Sequence, residues 1–469
     1  MTNDQELETY IQSLQDRDGS SGMILGRYDR GMTNDWQYGT TRRQGPDPVD
    51  DHTLFAVGSL SKSFTCLSLM LLQEAGKLSI DDPIATYLPL QLDGKEEKIT
   101  IRHLMSHSSG LPDLYICTIL ERQLGLRADY NQLEIETTIE SWQDVFDHVM
   151  TNKEYPTSPP GTRFHYSDLG FSLLQYIIEQ VSQQNYSLFL QEHIFEPLEM
   201  SDSTTRSTYT DQKAAAGHLT EKQSHTGIIE VAPNYPGHML VDGGGGVMSS
   251  SHDLLNYLSM YLQQGRFGNR QLVSEEAIAE MITPQVSINH TAQIAYGLGW
   301  IIFTTAEGLL VFHTGNTGAV TTAFGFFPQD QQGYFLCNNI TIPPTPIWFQ
   351  LGDYLLDRSV QPYPDPTVAT TLAAYTGSYQ GPAGVEQLNI GQLHGTLYIT
   401  QRAVGIYGVS KDSLPVLPQL DNQQQATGSY WIDRNGNKTR VIFETIENQH
   451  WVTVGIGKFK KIEDSSIND

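Results

Sequence analysis

At 469 residues the chain has room for two or three domains and a large buried core. It carries 28 Lys and Arg against 53 Asp and Glu, a formal net charge of −25, which argues against a nucleic-acid surface and against attraction to an anionic membrane. Hydrophobic residues at 39%, charged residues at 17% and a store of 6 Trp, 23 Tyr and 17 Phe exclude wholesale disorder.

The first residues, Met1 to Glu8, lack the basic region and apolar stretch of a secretory signal. The longest apolar run, Cys66 to Leu72, is interrupted by Ser68 and falls far short of the roughly 20 residues that cross a bilayer. Cys66, Cys117 and Cys337 are too sparse for a disulfide framework or a zinc cluster and fit a reducing compartment. These features predict a soluble, cytoplasmic protein.

Leu7, Ile11 and Leu14 predict a helix over residues 5 to 15. Met23 to Tyr28 and Trp36 to Tyr38 read as strands on either side of Gly31. From Ser59 to Ala75 the apolar residues Leu60, Phe64, Leu67 and Leu71 keep helical spacing. Cys66, Leu69, Met70 and Leu72 widen that face, so the helix should be deeply buried, with Gly76 as its C-terminal cap. A second periodic helix runs from Phe171 to Val181. Leu310 to Phe312 reads as a strand, Ala323 to Phe327 and Tyr334 to Cys337 as a hairpin around Pro328 to Gly333, and Pro344 to Leu356 as a helix. The fold class expected for this part is α+β, an antiparallel sheet flanked by helices with a helical subdomain.

The run Gln361-Pro-Tyr-Pro-Asp-Pro366 resists helix and reads as a linker. Beyond it Tyr375 to Tyr379, Leu393 to Thr400, Gly428 to Asp433, Thr439 to Phe443 and Trp451 to Ile456 read as short strands, with Asn435-Gly436 as a hairpin turn. They predict a small all-β barrel. The expected organisation is a domain over 1–358, a linker over 359–368 and a barrel over 369–469.

The buried helix opens Gly58-Ser59-Leu60-Ser61-Lys62. Ser59 and Lys62 share one helix face. A serine at a helix N-terminus meets free N–H groups and a partial positive charge, and its own N–H can hold a developing oxyanion. The lysine accepts a proton only if its pKa is lowered. Tyr166-Ser167-Asp168 precedes the second helix, and a tyrosine there can shuttle protons if neighbouring cations depress its pKa. His313-Thr314-Gly315-Asn316 continues the strand after Phe312; Gly315 permits close backbone approach, and His313 brings a group that titrates near pH 6.5. Taken alone, each element reads better as an ordinary packed or capping segment.

Together they carry a resemblance. Ser59-x-x-Lys62, Tyr166-x-Asp168 and His313-Thr314-Gly315 resemble, in order, the S-x-x-K, Y-x-N and K-T-G motifs of the serine β-lactamase and penicillin-binding protein superfamily. Tyr166 and His313 follow Ser59 by 107 and 254 residues, as in its class C-like branch of esterases and D-aminopeptidase-type hydrolases. Phe55 to Phe64, Ile101 to Pro112, Asp242 to Met248 with Asp253, and Tyr296 to Trp300 also look like landmarks of that branch. The tail resembles the lipocalin-like domain attached to some members.

The resemblance implies acyl transfer by a serine hydrolase of the peptidase, amidase or esterase kind. Ser59 is the implied nucleophile, Lys62 and Tyr166 share the proton, and His313 tunes Tyr166 or binds substrate. The N–H groups of Ser59 and Asn316 form the oxyanion site, and Asp168, Thr314 and Gly315 contact substrate. Two departures matter. Asp168 stands where an Asn is usual, and a carboxylate cannot donate to a substrate carbonyl; paired with Lys62 it would also raise the lysine pKa. His313 stands where a Lys is usual, which predicts a rate that changes between about pH 5.5 and 7.5.

Small peptides or amides with D-residues, or short esters, are the expected substrates. A true β-lactamase or D-Ala-D-Ala carboxypeptidase is the alternative enzyme. A non-catalytic or covalent ligand-sensing module is the alternative of another class. No cofactor and no metal are expected. His103 and His107 lie four apart like a zinc pair but have no H-E-x-x-H pattern around them. Glycines 243–246 lack the Gly-Lys-Ser/Thr ending of a phosphate loop. The partner expected is a small-molecule or peptide substrate, with no nucleic acid and no membrane; a homo-oligomer is compatible with the sequence.

Overall fold

In the computed structural model the described residues of the first part are 7–8, 11–12, 20–111, 113–114, 116–123, 137–152, 158–210, 213–220, 228–234, 238–288, 294–305, 308–340 and 355–356. Those of the second part are 375–380, 386–393, 396–405, 408–420, 426–432, 438–446, 449–454 and 457–462. Two compact units emerge: Met1–Ile342 with Tyr354–Arg358, and Pro343–Asp353 with Ser359–Asp469. The expected linker over 359–368, most of the helix over 344–356 and the Asn435-Gly436 turn lie outside the described residues.

The chain enters the first unit through a hairpin. Strands β1 (Gly22–Asp29) and β2 (Met32–Gly39) are joined by Arg30 and Gly31, both at positive φ, the two-residue turn whose twist suits paired strands. A two-residue strand β3 (Phe55–Ala56) leads into a 3-10 turn, Gly58–Leu60, and helix α1 (Ser61–Glu74). The helix closes at Gly76, whose positive φ lets Lys77 donate back to the Leu72 carbonyl at 2.9 Å. Helix α2 (Ile101–Met105) follows, then α3 (Trp142–Thr151) and α4 (Asp168–Ser182). Short strands β4 (Thr204–Thr205) and β5 (Val247–Ser249) flank the one-turn helix α5 (Asp242–Gly245), and α6 (Ser251–Leu262) comes next.

Strands β6 (Val286–Ser287), β7 (Ile294–Tyr296), β8 (Ile301–Thr305), β9 (Gly308–Asn316), β10 (Thr321–Phe327) and β11 (Gln332–Asn338) complete the main sheet. Its order is β6-β7-β8-β9-β10-β11-β1-β2, antiparallel throughout. The N-terminal hairpin thus pairs with the last strand of the unit, Met23 opposite Asn338. A second sheet, β3-β5-β4, supports the segment that carries Ser59. The expected fold class, an antiparallel sheet flanked by helices, is the one found. At residues 7–8 and 11–12 the backbone is helical, with Leu7 and Ile11 buried.

Strands β10 and β11 are buried along their whole length, so the sheet is covered on both faces. Helix α6 packs on β1, β2, β10 and β11. Between them Phe324, Phe326, Trp300, Tyr257 and Tyr261 form an aromatic core. Trp300 lies 5.7 Å from Phe324 and 5.0 Å from Tyr261, and Phe64 stacks on Tyr257 at 3.9 Å.

The second unit is an eight-stranded antiparallel barrel that runs in chain order. Its strands are β12 (Gly377–Gln380), β13 (Glu386–Leu393), β14 (Thr396–Gly405), β15 (Gly408–Leu420), β16 (Ala426–Ile432), β17 (Lys438–Ile446), β18 (Gln449–Val454) and β19 (Gly457–Lys461). Pairing of Tyr379 with Lys461 closes it around Tyr379, Leu388, Ile390, Ile399, Val441, Val452 and Phe459. Two readings differ. The expected strand over 393–400 straddles a hairpin, because Leu393 pairs with Thr396. Strand β15, with Pro415 and Pro418, escaped the sequence pattern because proline argues against a paired strand, yet both prolines hold ladder positions opposite Tyr398 and Ser429.

Among the described residues no helix is long and apolar enough to cross a membrane. Truncating the centre of the aromatic core should be felt throughout the first unit. Phe324→Ala is expected to lower its unfolding free energy by about 3–5 kcal/mol, read from denaturant unfolding followed by tryptophan fluorescence.

Candidate active site

Ser59 sits in the 3-10 turn that precedes α1, half-buried. Gly58, at φ +53°, makes that turn against the main sheet. A Cβ on Gly58 would stand 2.7 Å from the Asn316 nitrogen, and one on Gly315 would stand 2.0 Å from the Val57 carbonyl oxygen. The segment before Ser59 and the end of β9 therefore touch backbone to backbone, which only glycine at both places permits. Ser61 ties the same turn to β5: its hydroxyl donates to the Gly58 carbonyl at 2.7 Å and accepts from Val247 N–H at 2.9 Å.

Lys62 is fully buried. Its ammonium has three N–H groups and three acceptors: Asp168 Oδ1 at 2.6 Å, the Gly244 carbonyl at 2.7 Å and Ser59 Oγ at 3.2 Å. Burial alone would lower its pKa, but the Asp168 carboxylate, half-exposed at 31%, overcomes that and raises it above the ordinary value. Lys62 is thus an ammonium at neutral pH. Its Nζ also lies 4.8 Å from the centre of the Tyr166 ring and 5.3 Å from that of Phe171, over the electron-rich faces that favour a cation.

The Tyr166 side chain lies beside both Lys62 and Ser59, close enough for each to lower its pKa. Burial and the Asp168 charge push its pKa up to about 12, against the opposing pull of Lys62 and Ser59. The backbone around it is held by His107, whose Nδ1 accepts from Ser167 N–H at 3.1 Å and whose carbonyl accepts from His165 N–H at 2.7 Å. Ser167 caps α4 by accepting from Gly170 N–H at 3.0 Å. The His107 ring packs 4.2 Å from Tyr166 and 4.7 Å from Tyr296. Since Nδ1 accepts, Nε2 carries the proton; burial and the Lys62 charge hold this imidazole neutral, well below its usual pKa.

His313 lies on β9 at 2% exposure. Its Nδ1 bonds with the Thr314 carbonyl at 2.7 Å, so that nitrogen donates, and Nε2 accepts from the Tyr296 hydroxyl at 2.9 Å. Burial, reinforced by Lys62, pushes its pKa down to about 3. The expected titration of His313 between pH 5.5 and 7.5 is therefore corrected: both nitrogens are engaged by neutral partners and the ring stays uncharged. Thr314 is half-buried beside it. Asn316 is exposed, its Oδ1 accepting from Gly318 N–H at 2.6 Å and its own nitrogen against Gly58.

The three stretches thus converge, bringing together Ser59, Lys62, Tyr166, Asp168 and the Gly315–Asn316 backbone. Three contributors were missed as site residues. Gly244 supplies an acceptor for Lys62 from the glycine run. His107 supports Tyr166, while His103 accepts from Thr100 N–H as part of the α2 cap, so the two histidines serve different ends. Asp113 accepts from Leu169 N–H at 3.1 Å; burial first, then Asp168, push its pKa up to about 6. Gly244 and His107 stood inside family-like stretches, but nothing in the letters said what they would touch.

A family model described as Beta-lactamase matches residues 7–344. The chain belongs to the beta-lactamase family. Members of this family are serine hydrolases, and class C beta-lactamases are among the solved structures that share its fold. Penicillin-binding protein 4* of Bacillus subtilis (strain 168) is 26% identical over 325 residues, 67% of each chain. Protein flp of Staphylococcus aureus (strain MW2) is 24% identical over 333 residues, 70% of this chain and 60% of its own. Among solved structures, the octameric penicillin-binding protein homologue from Pyrococcus abyssi aligns over 97% of this chain and 99% of its own, at 25% identity and a TM-score of 0.70. A class C beta-lactamase shares the fold over 77% of this chain and 97% of its own, at 21% identity and a TM-score of 0.61.

The neutral state of His313 has a direct readout. Its imidazole proton and nitrogen shifts should stay constant from pH 5 to 8, and His313→Gln should leave the shape of the pH–rate profile over that range unaltered. A profile that flattens on substitution would contradict the buried, doubly bonded ring.

Proposed function

We propose that the protein is a serine hydrolase that forms an acyl-enzyme on Ser59, acting on small amides and peptides, D-residue peptides among them, or on short esters. The observation that carries this reading is the contact of Ser59 Oγ with a fully buried Lys62, 3.2 Å away, with Tyr166 beside them both.

In this reading Lys62 is an electrostatic anchor. All three of its N–H groups are donated, so it has no lone pair to offer Ser59. Tyr166 then takes the proton through its minor phenolate form, which the adjacent ammonium stabilises. With a pKa of about 12 that form lies about 7 kcal/mol above the phenol at pH 7, well inside the barrier of about 16 kcal/mol for a turnover of about 10 per second. As Ser59 Oγ attacks the carbonyl carbon, its proton passes to the Tyr166 oxygen. The oxyanion lies between the N–H groups of Ser59 and Asn316. Tyr166 returns the proton to the leaving amine or alkoxide. A water molecule, deprotonated by the same phenolate, then releases the acyl group, and the proton goes back to Ser59.

Asp168 sets the substrate class. Its Oδ1 is held by Lys62, and the part-exposed carboxylate accepts hydrogen bonds but does not donate them. It favours a substrate that presents an ammonium or N–H there, such as an aminoacyl amide, and disfavours one that presents a carbonyl, as an acylamino β-lactam does. His313, uncharged, orients Tyr296 and the end of β9; Thr314 and Gly315 line the strand along which substrate lies.

Two experiments test the reading. Ser59→Ala should remove turnover of aminoacyl nitroanilides and p-nitrophenyl esters, and abolish labelling by a fluorophosphonate probe, with the melting temperature preserved; residual labelling elsewhere with full turnover would refute the nucleophile. Asp168→Asn should shift the ratio of kcat/KM for nitrocefin over that for an aminoacyl nitroanilide upward by about ten-fold or more. An unchanged ratio would take Asp168 out of specificity.

A further inference from the structure

The small sheet β3-β5-β4 has two ends of different character. At one end the exit of β3 leads to Gly58 and Ser59, β5 begins beside Gly244 to Gly246, and β4 leaves towards Arg206, whose N–H donates to the Gly246 carbonyl at 2.6 Å. The other end gathers the start of β3, the start of β4 and the exit of β5, because β5 runs antiparallel to both neighbours. The residues there are His52, Asp202, His252 and Asp253, from three segments far apart in the chain.

Three of the four, Asp202, His252 and Asp253, have the geometry of a donor set, and His52 stands against Asp202. His52 Nδ1 lies 2.8 Å from Asp202 Oδ2, and His252 Nδ1 lies 3.1 Å from Asp253 Oδ1. The two imidazole centres are 5.6 Å apart, and donor atoms of Asp202, His252 and Asp253 all fall within 4.8 Å of one another. Donors of a tetrahedral zinc site, at about 2.0–2.1 Å from the metal, stand roughly 3.3 Å apart, so these three reach that spacing by contraction, and His52, exposed and bonded to Asp202, joins them by a turn of its ring.

The surroundings also suit a cation. Asp253 is fully buried, and its Oδ2 is committed to Asp202 N–H, Ser203 N–H and the Ser203 hydroxyl at 2.9, 2.7 and 2.7 Å. That fixes the carboxylate with Oδ1 turned towards His252. Ser250 donates to Asp202 Oδ2 at 2.8 Å and orients the second carboxylate. Asp51 Oδ1 lies 4.0 Å from His52 Nε2, placed to take that nitrogen's proton in a hydrogen bond when Nδ1 is bound to a metal, the carboxylate–histidine arrangement that steadies metal-bound imidazoles. Both imidazoles remain open to solvent, which leaves an entry path.

We propose that His52, Asp202, His252 and Asp253 bind one divalent transition-metal ion of the zinc type. Two neutral imidazoles and two carboxylates neutralise its charge, and their mix of nitrogen and oxygen suits zinc better than magnesium or calcium. On binding, the proton on each Nδ1 moves to Nε2, and the metal takes its place. The site is structural: it clamps the starts of β3 and β4 to the end of β5, the sheet whose opposite end holds Ser59.

The test uses the full-length chain freed of metal. Equilibrium dialysis against Zn2+ should load about one equivalent, and Co2+ should give the visible absorption of a tetrahedral complex. His252→Ala and His52→Ala remove exposed rings and leave the Asp253 contacts intact, so both variants should keep the wild-type circular dichroism. Each should weaken Zn2+ binding by about ten-fold or more, and the double variant should lose the rise in melting temperature that Zn2+ gives the wild type. Absence of stoichiometric binding, an octahedral Co2+ spectrum, or binding undiminished in the folded double variant would overturn the site and leave two ordinary histidine–aspartate hydrogen bonds.

Discussion

A buried ammonium organises the first unit. Removing a cation such as Lys62 from water without partners would cost several kcal/mol, so the fold must bring acceptors to it. It does so from three places: the carboxylate of Asp168 at the start of α4, the carbonyl of Gly244 in α5, and the hydroxyl of Ser59 one turn earlier. These contacts force α1, α4 and α5 together, and the packing agrees, since the three helices touch one another. Thr65 repeats the pattern one turn along α1, donating to the Gly243 carbonyl at 2.6 Å. Within the glycine run Gly243 is held to glycine by α4, where a Cβ would stand 2.8 Å from the Phe171 carbonyl oxygen and 2.9 Å from Gln175 Cβ.

The charge on Lys62 explains the state of its neighbours. His107 and His313 are both buried, and both feel the ammonium, so each is held neutral. A second cation at position 313 would repel Lys62 within the same low-dielectric space. A neutral imidazole that donates to a carbonyl and accepts from Tyr296 fills that place without repulsion. Asp168 acts in the other direction: it keeps the ammonium charged and, with Asp113 behind it, places negative charge at the N-terminus of α4, where the helix dipole favours it.

Much of this architecture was legible as letters. The unbroken apolar spacing from Leu60 to Leu72 identified a buried helix, and the short apolar runs Ala323 to Phe327 and Tyr334 to Cys337 around Pro328 to Gly333 identified the central hairpin. The order of Ser59-x-x-Lys62, Tyr166-x-Asp168 and His313-Thr-Gly carried the family. Strand β15 was hidden by its prolines, and the β13–β14 hairpin was blurred because both of its arms contribute to the stretch Leu393 to Thr400 that reads as one strand. His107 and Gly244 could not be recognised as parts of the site, since a hydrogen-bond acceptor is defined by what faces it and not by its neighbours in sequence.

Local signals set what the chain could read from itself: helix and strand periodicity, glycine at turns, an acidic balance, and the kinds of reactive side chain with their spacing. Protonation states were decided elsewhere. Whether Lys62 is an amine or an ammonium, and whether His313 titrates near pH 6.5 or near 3, depends on burial and on charges more than a hundred residues away. So does the meeting of His52 with Asp202, 150 residues apart in the chain. Those are properties of a folded interior, where the dielectric is low and distant segments stand within a few ångströms, and only the tertiary structure contains them.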